Sequence, residues 1–248
     1  MNPYDDSRTK REQVEEMFDR IAPVYDRAND LMSLGMARRW RRIAAREVRR
    51  TGAQRVLDIA TGTGDLAIAV MRRLPDARVT GVDISAEMLS RAHVKAARAR
   101  MSDKIDFIEA EAEALPFAAG EFDVVTVAFG VRNFADIRRG LCEMARVLRS
   151  DGRVFMLEFS IPRSKIFGPL YRFYFRRFVP WVGGLLSRQR RTYDYLPASV
   201  AEFAAPPEFI RMMHEAGFYD CRARPIMGGA VYLYTGTKHA RVPSSLSE

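Results

Sequence analysis

The spacing of apolar positions changes character along the chain. Residues 10–50 read as helical: Met36, Trp40, Ile43, Ala44 and Val48 recur at helical intervals, and Arg38, Arg39, Arg41, Arg42, Arg46, Arg49 and Arg50 fill the rest. Thr51-Gly52 is expected to stop that helical region. A regular alternation then begins. Short apolar runs at 55–60 (RVLDIA), 78–83, 104–109, 122–128 and 153–160 predict buried strands. The segments 65–74, 85–99 and 136–148 predict helices, the second capped by Ser85, and Asp151-Gly152 predicts a turn. Repeated strand–helix units with apolar strands imply a parallel sheet covered on both faces and doubly wound by right-handed crossovers.

After Ser160 the rhythm breaks. Residues 161–200 form a long insertion, basic and aromatic, carrying Pro162, Pro169, Pro180 and Gly183-Gly184. A helix at 206–216 ends at Gly217, and FYDCRARPI and GAVYLYTGTK predict two strands, antiparallel at the sheet edge. The expected fold is α/β: a Rossmann-like, doubly wound, mostly parallel seven-stranded sheet with an antiparallel edge strand, N-terminal helices and a helical lid insertion. One domain is expected, divided into an N-terminal helical cap (1–52), a cofactor-binding core (53–160), a basic and aromatic lid (161–200), a C-terminal helix and strands (201–238) and a tail (239–248).

Composition narrows this picture little. The chain has 248 residues, 48% of them hydrophobic, enough for one sizeable core. Two distant cysteines, Cys142 and Cys221, suggest neither a disulfide framework nor a metal site. The polar N-terminus lacks a signal core, and no stretch reaches the ~18 apolar residues of a membrane span, so a cytoplasmic protein is expected. The net charge of +9 attracts anionic partners without choosing among them.

The chemistry starts at VLDIATGTGDLA, 56–67. Gly62, Gly64 and Ala67 fit the dinucleotide pattern G-x-G-x-x-[GA], and Asp83 lies where that pattern wants an acid. Yet Asp58 precedes the turn and Asp65 follows it at once. Two carboxylates make a poor cradle for pyrophosphate and a better one for a cationic, amine-bearing ligand. S-adenosylmethionine has an ammonium, a sulfonium, a ribose diol and no phosphate. On this reading Asp58 with the Gly62-Thr63-Gly64 turn holds the amino-acid end, Asp83 accepts the ribose hydroxyls, and Glu111-Ala112 border the adenine. Ala60, Ile84, Met88, Ala128 and Phe129 complete the expected pocket. No metal is expected.

Four blocks, in order, carry a resemblance over nearly the whole chain. They are FDRIAPVYDRANDLMSLGMARRW (18–40), Phe129-Gly130-Val131-Arg132-Asn133, RVLRSDGRVFMLEFS (146–160) and Tyr193-Asp194-Tyr195-Leu196 running to Ser199-Val200. In these the chain resembles the C-methyltransferases of menaquinone and ubiquinone biosynthesis, within the class I methyltransferase fold. It departs from their pattern at Ala28 (usually Met), Ala37 (His), Glu111 (Asn or Asp), Ala128 (often Ser), Ser150-Asp151-Gly152 (P-G-G) and Tyr234 (His). The resemblance implies methyl transfer from S-adenosylmethionine to a ring carbon of a polyprenyl quinol. Demethylmenaquinol is the leading acceptor; a methoxy-polyprenyl-benzoquinol, or another small molecule taken by a diverged relative, is the alternative. Arg132 and Asn133 after the fourth strand, with Tyr25, are the candidate catalytic residues. Arg132 would stabilise a developing phenolate, and Tyr25 and Asn29 would close over the methionine end of the cofactor. His93, His214 and His239 are read as structural or exposed.

A polyprenyl quinol lives in a bilayer, so the basic, aromatic stretch 163–191 is expected to meet an anionic membrane surface, placing the protein at the inner face of the cell membrane. Arginine with aromatics also suits RNA, which makes an RNA methyltransferase the rival. Nucleic acid is not expected, because Ala128-Phe129-Gly130-Val131 stands where base-amine methyltransferases usually carry N/D-P-P-Y/F. The oligomeric state stays open, a homodimer being one form.

Overall fold

The apolar runs become the parallel part of one seven-stranded sheet. The computed structural model describes residues 8–162, 164, 167–174, 177 and 190–239. β1 (Arg55–Ile59), β2 (Arg78–Asp83), β3 (Ile105–Glu109), β4 (Phe122–Ala128) and β5 (Leu148–Phe159) pair in parallel in the order β3-β2-β1-β4-β5. β6 (Phe218–Ile226) and β7 (Val231–Lys238) extend the sheet as β5-β7-β6, with β7 antiparallel to both neighbours. Val56, Leu57, Val79, Val82, Val125 and Val127 are wholly buried, which is why these strands read as unbroken apolar runs and not as alternations.

Helices cover both faces. On one, α3 (Met36–Arg49), α4 (Asp65–Met71) and α5 (Ala86–Arg98) pack Trp40, Leu66 and Leu89 against Val56 and Val79. On the other, α6 (Ile137–Val147) and α9 (Pro206–Glu215) pack Leu141, Met144 and Phe209 against Leu57 and Val125. The insertion supplies α7 (Phe167–Phe173) and α8 (Arg190–Glu202).

The helical stretch 10–50 divides into three helices. α1 (Lys10–Ile21) carries a complete capping box between Thr9 and Glu12, and α2 (Tyr25–Met32) precedes α3. The breaks fall at Ala22-Pro23-Val24 and at Leu34-Gly35, whose φ values of 49° and 74° are left-handed. Each helix buries its own apolar stripe, so the periodic pattern runs through two changes of direction and conceals them. The Asp151-Gly152 turn is absorbed into β5 as an irregularity. Leu148 pairs with Phe122 and Arg153 with Val124, leaving the residues between them bulged.

The sheet reverses its winding between β1 and β4, and the crevice at their carboxyl ends is where a doubly wound fold takes its ligand. The two strand ends approach closely. A Cβ added to Gly130 would lie 2.5 Å from that of Ala60. Ala60 (φ 50°) and Phe129 (φ 63°), which close β1 and β4, are both held in the left-handed region that non-glycine residues avoid.

Candidate active site

Two cavities meet above those strand ends. The first is a cleft along β1, β2 and β4, lined by Ile59, Ala60, Gly62, Asp83, Ile84 and Met88 from the first two βα units. Glu111-Ala112 and Ala128-Phe129 border it further on, with Asn133 beyond them. α1 roofs it with Arg11, Val14 and Phe18, and Tyr25 joins from α2. The second cavity, about 380 Å³, lies between α1, α2, α3, α7 and α8 and is almost wholly apolar. Phe18, Tyr25 and Phe129 line both, so these three rings form the junction.

Asp83 ends β2 and faces the first cleft, half-buried. Its Oδ2 accepts from the Gly62 N–H at 2.8 Å and its Oδ1 from the Ser85 N–H at 3.0 Å. Desolvation pushes its carboxyl up to about 6, against these bonds and one from the Ile84 N–H, while the nearby Asp19 carboxylate pushes the same way as burial. Gly62 (φ 55°) turns its N–H onto that carboxylate, so the amide a pyrophosphate would need is already engaged.

The structure moves the other two carboxylates. Asp58 does not line the cleft. Its side chain is buried beneath the loop, accepting from Thr61 Oγ1 at 2.7 Å, Thr126 Oγ1 at 2.6 Å and the Ala67 N–H. Burial pushes it up to about 6, its hydrogen bonds notwithstanding. Through these bonds it braces the glycine turn from below. Asp65 is the first residue of α4 and faces the opposite side, pairing with Arg41 at 3.0 Å and with Lys95. Burial opposes its charge, yet Arg41 and Lys95 hold its carboxyl below the usual range. Thr63 is likewise turned away, its Oγ1 donating to Asp26 Oδ1 at 2.6 Å and accepting from Lys95. Gly64 caps α4 outside both cavities, and Asn29 lines the apolar cavity but not the cofactor cleft.

Arg132 lines the apolar cavity from the 3₁₀ turn after β4. Its Nη1 meets Glu158 Oε1 at 2.7 Å, its Nε reaches Ser199 Oγ at 3.3 Å, and its guanidinium lies 5.5 Å from the Phe159 ring centroid. Glu158 is wholly buried and also accepts from the Phe159 N–H at 2.8 Å. Asn133, on the cofactor side, accepts from the Tyr195 hydroxyl at 3.2 Å; Tyr195 lines the apolar side. This pair spans the wall between the cavities. Tyr25 packs edge-to-face on Phe18 with centroids 6.1 Å apart.

Sequence reasoning missed several contributors. Arg11 reaches across from α1 to Glu111 at 2.7 Å. Arg41, nearly buried, lies 6.0 Å from the Phe129 ring centroid and lines the apolar cavity. Its place on the buried stripe of α3, where an alanine or leucine would be expected, was the available signal. The histidines stand apart from both cavities. His93 packs on Phe107, His214 Nδ1 meets the Phe218 carbonyl at 3.0 Å, and His239 packs on Tyr219. Among the described residues no cluster of His, Cys, Asp or Glu could hold a metal ion.

A glycine turn after β1, an acid ending β2 and this strand order define an S-adenosylmethionine-dependent methyltransferase. The fold is shared with a SAM-dependent methyltransferase, possible histamine N-methyltransferase, from Thermotoga maritima. The TM-score is 0.59 at 19% identity, over 91% of this chain and 99% of that one. Residues 6–238 match the ubiE/COQ5 methyltransferase family, and the chain belongs to that family. It is 44% identical over 230 residues to the ubiquinone/menaquinone biosynthesis C-methyltransferase UbiE of Geotalea uraniireducens, spanning 92% of this chain and 97% of that one. To the demethylmenaquinone methyltransferase of Deinococcus radiodurans it is 44% identical over 236 residues, 95% of this chain and 97% of that one.

Proposed function

We propose that the enzyme methylates a ring carbon of a polyprenyl quinol, with demethylmenaquinol as its acceptor. The observation that carries this reading is the apolar cavity joined to the cofactor cleft through Phe18, Tyr25 and Phe129. An aromatic ring fits a junction built of aromatic side chains, and an isoprenoid tail fits the apolar space beyond. Ala28 and Ala37, where the family pattern has Met and His, both line that space and enlarge it.

S-adenosylmethionine supplies a methyl group already activated by its sulfonium. What remains for the protein is to bind, align and exclude water. Asp83 is suited to accept the ribose hydroxyls. Glu111, held by Arg11, and Ala112 border the adenine end. Arg41, nearly buried and 6.0 Å from the Phe129 ring at the junction, is suited to the methionine carboxylate. Arg132 favours the phenolate form of a ring hydroxyl, which makes the ring carbon nucleophilic. No carboxylate or imidazole is among the described residues that line the acceptor cavity. Tyr171 and Tyr174 line it, but burial pushes both hydroxyls up, so they act as donors and not as bases.

Two measurements test this reading. Labelled S-adenosylmethionine is expected to transfer its methyl to reduced demethylmenaquinol in preference to a methoxy-polyprenyl-benzoquinol; transfer to neither overturns the proposal. Arg41→Ala is expected to weaken S-adenosylmethionine binding about tenfold or more while kcat is kept, since one charge-assisted contact is lost and Lys95 still pairs with Asp65. Unchanged affinity on titration calorimetry would remove Arg41 from the site.

Association with the inner face of the membrane belongs to the same proposal. The stretch 163–191, to which the sequence assigned it, lies for the most part outside the described residues. No helix among the described residues is long and apolar enough to cross a membrane.

A further inference from the structure

The acceptor cavity opens through a rim that is costly for a protein surface. Leu34, 69% exposed, and Met227, 44% exposed, both line the cavity and both face solvent. Both are also held in left-handed backbone, at φ 49° and 51°. Glycine or asparagine would occupy such positions without strain or exposed apolar area, so each residue is unfavourable twice over. Two further exposed apolar side chains directly precede cavity-lining residues in the chain: Leu31 on α2, 43% exposed, before Met32, and Phe173 on α7, 66% exposed, before Tyr174. α7 is tied to α2 here, the Tyr174 hydroxyl donating to the Met32 carbonyl.

The same corner is basic. α3 starts two residues after Leu34, and its exposed face carries Arg38, Arg39, Arg42, Arg46 and Arg49. Of the nearby acids, Asp30 pairs with Arg38, Asp26 with Lys95, and Glu47 with Arg50 and Arg224. Apolar side chains projecting from a cationic surface are the pattern that enters the headgroup boundary of an anionic bilayer. A second copy fits less well: a two-fold contact through this face would set its arginines against their own images.

We propose that the α2–α3 corner, with Leu31, Leu34, Phe173 and Met227, docks on an anionic membrane surface, so that the cavity opens into the lipid. The proposal rests on the quinol reading for what passes the rim, but the docking itself is tested separately. In co-sedimentation, the full chain should pellet with vesicles of phosphatidylcholine mixed with phosphatidylglycerol and much less with phosphatidylcholine alone. The Leu31→Glu/Phe173→Glu and Arg39→Glu/Arg42→Glu pairs touch neither cavity wall nor core in the way Leu34 does. Each should cut pelleting about tenfold or more. Thermal unfolding and S-adenosylmethionine titration should match the unsubstituted protein, confirming the fold. Methyl transfer should then fall for a long-chain quinol in vesicles and hold for a short-chain quinol in water.

Three results would overturn the proposal: equal pelleting of both pairs and the unsubstituted chain, no preference for anionic vesicles, or a dimer that the Leu31→Glu/Phe173→Glu pair converts to monomer. If no quinol is methylated but the pelleting results hold, the docking surface stands and the acceptor reading fails.

Discussion

Asp83→Ala is expected to abolish measurable S-adenosylmethionine binding. Two charge-assisted hydrogen bonds to the ribose are lost, each worth about 1.5–3 kcal/mol, which together amount to a hundredfold or more in affinity. The substitution also strands the Gly62 N–H, so the turn loses its anchor as the ligand loses its acceptor. The pH dependence gives a second, independent check. The ribose needs the carboxylate form, and the carboxyl sits at about 6 in the unliganded protein. Affinity should therefore rise with pH up to about 6, roughly tenfold per unit on the acid side, and level off above it. Binding near pH 5.5 should release protons, seen as a calorimetric heat that varies with buffer ionisation enthalpy. Affinity independent of pH between 5 and 7.5 would remove Asp83 from the ribose.

The same shifts act on stability with the opposite sign. Asp58 and Asp83 both move from 3.8 to about 6 on folding, so the folded protein holds those protons more tightly than the unfolded chain. Their contribution to stability is present below about pH 4 and is lost as pH rises through about 6. For the fully buried Asp58 the loss is on the order of 3 kcal/mol. S-adenosylmethionine would recover part of it at neutral pH.

Arg132→Ala should leave S-adenosylmethionine binding in place, destabilise the fold and slow transfer. Its guanidinium neutralises Glu158, which is wholly buried, and removing one partner of such a pair typically costs 3–5 kcal/mol, about the same as the penalty of an unpaired buried charge. Replacing both partners separates the two roles. In Arg132→Gln/Glu158→Gln most of the stability should return, because no buried charge is left alone. Methyl transfer should stay slow if the guanidinium favours the phenolate. Recovery of the transfer rate along with stability would show that Arg132 serves only the fold. Urea unfolding and single-turnover transfer, measured on Arg132→Gln, Glu158→Gln and the double, complete the cycle.

Asp83 was legible because a short buried strand fixes which residue is last, and the last residue of β2 must face the crevice. Asp58 and Asp65 were legible as positions but not as roles. A strand buried on both faces has no solvent side from which to infer direction, so the sequence does not say that the Asp58 carboxylate drops beneath the turn onto Thr61 and Thr126. Asp65 follows Gly64 at once, yet its partners Arg41 and Lys95 come from α3 and α5, 24 and 30 residues away in opposite directions along the chain. Phosphate exclusion survives on different grounds: Asp83 occupies the Gly62 amide.

By itself the sequence determined the alternation of strands and helices from residue 55 onward, the glycine turn after the first strand and the acid that ends the second. These follow from local periodicity, turn chemistry and handed crossovers, which act over a few tens of residues. Only the tertiary structure decided that α1 roofs the cofactor cleft, that Glu158 neutralises Arg132 and that three rings from separate segments join the two cavities. Those outcomes depend on which apolar faces meet when three short helices fold back over the sheet. Burial energy is non-directional, so packing complementarity selects among such arrangements, and periodicity does not record it.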